Sequence, residues 1–152
     1  MAIQAGEIAP DFELSNQHGE KIKLSDFRGK KNVMVVFYPA AFTGKCTGEL
    51  CALRDDLSVF QNEKVELLAI SCDSIFALKV FAEQEKYSFS LLGDFWPHGE
   101  VSQKYGVFMA ERGFAGRGTF IINKEGRVHW SVYNASGDAR DLSDYKEALA
   151  SL

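Results

Sequence analysis

The chain carries three cysteines, Cys46, Cys51 and Cys72, and the surroundings of the first suit it best for chemistry. Cys46 closes the segment Pro39-Ala40-Ala41-Phe42-Thr43-Gly44-Lys45-Cys46, which follows an apolar run and precedes an amphipathic stretch. It therefore falls in the first turn of an expected helix. Unpaired backbone N–H groups and the helix dipole favour an anion there, and such sites draw a cysteine pKa from about 8.5 down to roughly 3.5–7.5. The expected outcome is a thiolate nucleophile at neutral pH. Thr43, three residues earlier, offers a hydroxyl to the sulfur or to an incoming oxygen, Pro39 keeps the strand end dry and rigid, and Lys45 adds a positive charge nearby.

Holding Cys46 in that position requires a strand, a turn and a helix, and the sequence supplies them in that order. Residues 33–38 form a continuous β-branched and aromatic run, the pattern of a strand buried on both faces. Leu50, Leu53, Leu57 and Phe60 then recur at spacings of three and four, which predicts one helix with a single buried stripe. The alternation continues with strand 65–72, helix 74–85, strand 89–92 and a short helix 99–105. Phe12 and Leu14, a turn at Gln17-His18-Gly19 and a return through Ile22 and Leu24 predict an opening hairpin, with Ser25 capping a short turn of helix. Strands at 119–122 and 127–133 around the turn 123–126 predict a second hairpin, and a last helix carries Leu142, Tyr145, Leu149 and Leu152. The expected fold class is α/β, with a mostly parallel centre and antiparallel additions.

At 152 residues and 46% hydrophobic content the sequence suits one domain spanning 1–152, with no linker or repeat to divide it. No apolar run approaches the roughly 18 residues of a membrane span, and the N-terminus lacks the order of a secretory signal. A cytoplasmic protein is expected. A net charge of −4 without a basic cluster argues against nucleic acid and anionic membranes as partners. His18, His98 and His129 show no metal-ligand spacing, and the glycines of 113–118 lack the strand and helix that a phosphate loop requires.

The segment PAAFTGKC matches the P-x-x-x-T-x-x-C signature of the peroxiredoxins, and Arg117 in RGTF sits where that family has its active-site arginine. APDFEL, LLAISCDS, GDFWPHGEVSQKYGVF and RGTFIINKEG extend the resemblance over nearly the whole chain, and DFWPHG with Gly44 is most similar to the alkyl hydroperoxide reductase E type. Lys45 departs from the apolar residue of many relatives. The resemblance implies a thioredoxin-like fold, a central mixed sheet flanked by helices, and a thiol-dependent peroxidase that forms a Cys46 sulfenic acid without metal or organic cofactor. By the same analogy Thr43 and the Cys46 amide align the peroxide, Arg117 holds the thiolate and the developing charge, and Glu49 orients Arg117.

The implied partners are a hydroperoxide, a reducing thiol and a second copy of the chain in a homodimer. The thiol is a thioredoxin-, glutaredoxin- or mycoredoxin-like protein, or a small thiol. Cys51, five positions after Cys46, has the spacing of the resolving cysteine in Q-type peroxiredoxins, whereas the E type hands its sulfenic acid to an external thiol. Both routes stay open. Five residues advance a helix by about 7.5 Å and turn it roughly 140°, beyond the limit near ~7 Å for a disulfide, so the first turn must unwind before Cys46 and Cys51 can join. Cys72, at a strand end, is expected to be buried and inert, while Trp96 and His98 serve a substrate approach, the packing of their own loop or a subunit contact. A dithiol–disulfide oxidoreductase would need a Cys-x-x-Cys that is absent here, and a non-catalytic holdase would have no use for Thr43, Cys46 and Arg117 together.

Overall fold

The computed structural model describes residues 2–134 and 138–152. The chain opens with the hairpin of β1 (Glu13–Ser15) and β2 (Lys21–Lys23), in which Leu14 faces Ile22. A 3-10 turn, Leu24–Phe27, follows with Lys23 in the capping position, so Ser25 lies inside the turn and does not cap it. Leu24 is buried, and the turn starts where that side chain must enter the core.

Next come β3 (Asn32–Phe37), α1 (Gly44–Asp55), α2 (Leu57–Phe60), β4 (Val65–Ser71), α3 (Ile75–Glu85), β5 (Ser90–Gly93) and α4 (Glu100–Lys104). The chain then runs through β6 (Phe108–Met109), β7 (Phe114–Ala115), β8 (Arg117–Ile122) and β9 (Val128–Asn134) to α5 (Leu142–Ala150). The central sheet has the order β5-β4-β3-β8-β9, with β3, β4 and β5 parallel and β8 and β9 antiparallel. Alternate residues of the central strands serve opposite faces. Met34, Val36, Leu67 and Ala69 meet Leu50, Leu53, Phe60 and Phe81 on the side of α1, α2, α3 and α5. Val35, Phe37, Leu68 and Ile70 meet Phe12, Leu24, Val101 and Tyr105 on the other. This double burial explains why residues 33–38 read as uninterrupted apolar sequence.

Three elements differ from the sequence pattern. The stripe from Leu50 to Phe60 spans two helices, because Asp56 leaves helical geometry at φ −124 and ψ 31 and its carboxylate pairs with Lys146 of α5. The β6–β7 hairpin was not expected; two-residue strands are too short to show a period. Leu152 lies beyond α5 and is exposed. Ser74 caps α3, its Oγ accepting from the Ala77 amide at 3.2 Å. Among the described residues no helix is long and apolar enough to cross a membrane.

Candidate active site

The strand β3 delivers the chain to Pro39, and the loop that follows enters α1 through a strained residue. Phe42 has φ 67, a left-handed conformation costly for a bulky side chain, and its ring is held at 5.0 Å from that of Phe81. A second tie comes from Asp73, just past β4, whose Oδ2 accepts from the Ala41 amide at 2.9 Å and from Ser71 Oγ at 2.7 Å. Thr43 is the N-cap residue of α1, yet its hydroxyl donates to Ala40 O at 2.8 Å and makes no side-chain cap. The helix ladder begins with Thr47 N donating to Thr43 O at 2.9 Å, so the Cys46 amide has no acceptor within the helix.

Arg117, at the start of β8, reaches across beneath this helix end. Its Nη1 donates to Cys46 Sγ at 3.4 Å and to Glu49 Oε1 at 2.5 Å, and only 7% of the residue is exposed. Glu49 stands one turn after Cys46 and receives a second guanidinium. Arg140, just before α5, donates from its backbone N and from Nε to Glu49 Oε2, at 2.8 and 3.1 Å, and from Nη2 to Oε1 at 3.1 Å. Its Nη1 donates to Phe37 O, Gly118 O and Thr119 Oγ1 at 2.7, 2.9 and 3.1 Å, tying the carboxylate to β3 and β8. Burial alone would push the Glu49 carboxyl up, but the hydrogen bonds and charge of Arg140, with the charge of Arg117, hold it below its usual value. Two cations on one carboxylate leave one positive charge uncompensated, next to the sulfur.

Above the sulfur lies a cavity of about 300 Å³, walled by Pro39, Ala40, Thr43, Met109, Arg112, Phe114, Gly116, Arg117 and Asn134. Cys46 belongs to its lining but is fully buried, so the sulfur occupies the closed end. Thus Pro39, Thr43, Cys46, Glu49 and Arg117 come together. Arg140 and Asp73 were missed: each is a lone polar residue in a polar stretch, and nothing in a single sequence marks what it will reach. The apolar wall from the β6–β7 hairpin was missed for the same reason as the hairpin.

The other cysteines point elsewhere. Cys51 is half-buried, with Sγ 3.3 Å from Tyr87 Oη and 3.5 Å from Glu85 Oε1. Cys72 is buried with Sγ 3.9 Å from Ser102 Oγ, and burial, with the charge of Asp94, pushes its thiol up to about 11. All three thiols are free. His98 bridges Phe95 O and Gly113 O, at 3.1 and 2.7 Å, and among the described residues no group of three or more His, Cys, Asp or Glu could hold a metal.

The structure thus sets a buried cysteine at a helix start, faced by an arginine from a neighbouring strand. Residues 5–131 match the model of the AhpC/TSA family. The chain belongs to that family.

Alkyl hydroperoxide reductase E of Mycobacterium tuberculosis is 45% identical over 150 residues, covering 99% of this chain and 98% of that protein. Peroxiredoxin Bcp of Escherichia coli K12 is 38% identical over 133 residues, 83% of each chain. Among solved structures, peroxidoxin BcpB of Mycobacterium tuberculosis superposes with a TM-score of 0.86 at 27% identity, covering 99% of this chain and 98% of that one. This AhpC/TSA chain thus has the thioredoxin-like α/β fold of the peroxiredoxins, with the N-terminal hairpin added.

Proposed function

We infer that this protein is a thiol-dependent peroxidase that reduces hydroperoxides, with the Cys46 thiolate as the attacking group. The observation that carries the reading is the Cys46 sulfur, 3.4 Å from Arg117 Nη1, at the closed end of a cavity over the α1 N-terminus. The thiolate attacks the nearer peroxide oxygen; an S–O bond forms, the O–O bond breaks, and the departing alkoxide or hydroxide takes up a proton. Because the Thr43 hydrogen is already given to Ala40 O, its oxygen is left to accept the hydroperoxide O–H. The Cys46 amide and Arg117 face the charge that develops as the bond breaks. Pro39 walls the cavity without an N–H to hydrate, and Glu49 and Arg140 are positioning residues acting through Arg117.

Cys51 is the resolving thiol in this reading, forming a disulfide with Cys46 after α1 opens, and an external thiol, protein or small molecule, then reduces it. The route fits a half-buried sulfur on the same helix whose relatives include a Bcp-type peroxiredoxin. The chain acts as one domain over 1–152, supported by two apolar layers that share one sheet. A cytoplasmic location suits three free thiols. A homodimer suits the exposed Phe76, Phe95 and Trp96, which line one groove.

The test is rapid mixing of the reduced protein with hydroperoxide while tryptophan fluorescence is followed. A transient that scales with peroxide and vanishes in Cys46→Ser is expected. A transient that survives the substitution removes Cys46 from the reaction.

A further inference from the structure

We propose that the Tyr87 hydroxyl is a latch on the first turns of α1, and that its release governs how fast the Cys51 sulfur reaches oxidised Cys46. The inference rests on the reading of Cys51 as the resolving thiol. Tyr87 follows α3, beyond Lys86 at φ 60, and is only 5% exposed. Its hydroxyl donates to Thr47 O at 3.2 Å and lies 3.3 Å from Cys51 Sγ. Thr47 and Cys51 are four residues apart, so Thr47 O is also the helical acceptor for the Cys51 amide. One hydroxyl therefore touches both ends of a helical turn that must open before Cys51 can turn toward Cys46. With its hydrogen given to Thr47 O, the phenol oxygen is left to accept from the Cys51 thiol, whose one hydrogen is shared with Glu85 Oε1 at 3.5 Å.

The ring has little freedom to swing away. It stacks on Phe89 with centroids 5.1 Å apart, meets Phe81 edge-on at 5.2 Å, and lies under the Arg54 guanidinium at 6.0 Å. Phe81 in turn carries the ring of Phe42. The same aromatic set thus grips the loop before Cys46 and the turn after it. Burial pushes the Tyr87 phenol well above its ordinary value, so it remains a donor across the neutral range.

In the step that the latch controls, the Cys51 sulfur supplies an electron pair to Cys46 Sγ and an S–S bond forms. The S–O bond of the sulfenic acid breaks, and the hydroxyl leaves as water with the proton of the Cys51 thiol. The hydrogen bonds and ring contacts of Tyr87 go to Thr47, Cys51, Phe81, Phe89 and Arg54, none of which lines the peroxide cavity, so the first oxidation proceeds without its hydroxyl.

Tyr87→Phe removes the oxygen and keeps the ring. Wild type and variant are mixed with hydroperoxide without external thiol; the fluorescence phases are assigned by mass spectrometry of quenched samples, and amide exchange at residues 47–51 is measured in the reduced proteins. Loss of one hydrogen bond should speed disulfide formation and exchange by roughly two- to tenfold and leave the first phase unchanged. Less over-oxidised Cys46 should accumulate at excess peroxide. A disulfide that forms in the variant no faster than in wild type overturns the kinetic role, and unchanged exchange overturns the latch itself. A wild type that forms no Cys46–Cys51 disulfide refutes the Cys51 reading, which the exchange measurement distinguishes from failure of the latch.

Discussion

Glu49 stands behind the sulfur and Arg117 as a residue that the proposed chemistry needs without its touching substrate. Its carboxylate holds Arg117 against the sulfur and is itself held by Arg140. Arg117→Met removes the donor facing the sulfur and should lower kcat/KM on the order of 100-fold in steady-state assays, as loss of one transition-state donor does elsewhere. Arg140→Met leaves Phe37 O and Gly118 O without this donor and Glu49 with Arg117 as its one cation, so chemical denaturation should show a loss of about 3 kcal/mol. An Arg140→Met protein as stable as wild type would remove the network from the fold's energetics. Since the folded Glu49 carboxyl titrates below its unfolded value, the unfolded chain binds more protons in acid, and the stability contributed is present above the unfolded value and lost as pH falls through the folded one. Glu49→Gln should therefore flatten the acid limb of the stability profile below the ordinary carboxyl value of about 4.3.

At the scale of the element, the proposed Cys46–Cys51 disulfide would make α1 a moving part as well as a scaffold. Oxidation by one equivalent of hydroperoxide should abolish amide protection over residues 47–51, and protection unchanged in the disulfide form would contradict the need for unwinding. Cys72 behaves differently: its raised thiol means that the unfolded chain ionises first, so stability should decline as pH rises from the ordinary cysteine value toward about 11. Denaturation of Cys72→Ala across that range should show a shallower decline. Legibility followed the length and double burial of the elements. The strand at Val33, the helix start at Cys46 and the hairpin around Asn123 were readable because each writes a long period or a turn signature. The reach of Arg140 was not, since its partners lie far away in sequence, nor was the β6–β7 hairpin, whose two-residue strands write no period, nor the split at Asp56, which leaves the apolar stripe unbroken. Thr43 could be given a hydroxyl role from its spacing to Cys46, sharpened by resemblance, whereas Arg117 acquired its role by resemblance alone, and only the fold brings it to the sulfur.

For the whole molecule, the proposed dimer rests on what the surface leaves uncovered. Phe76 is 78% and Trp96 83% exposed, and both line a groove with Leu14, Ile75 and Phe95. Phe76→Asp should convert the proposed dimer to a monomer in sedimentation velocity, and identical sedimentation of the two proteins would exclude this groove as the interface. A quieter feature limits what else the molecule can build. Gln17, at the tip of the opening hairpin, donates from Nε2 to Phe89 O at 3.0 Å and accepts the Leu91 amide on Oε1 at 2.8 Å. One side-chain amide thereby mimics a sixth strand and plugs the β5 border of the sheet. Endless edge-to-edge growth needs a receptive border on both sides of every copy. With one side stoppered, joining of these molecules through the borders of the central sheet ends at a pair and cannot run on into a fibre.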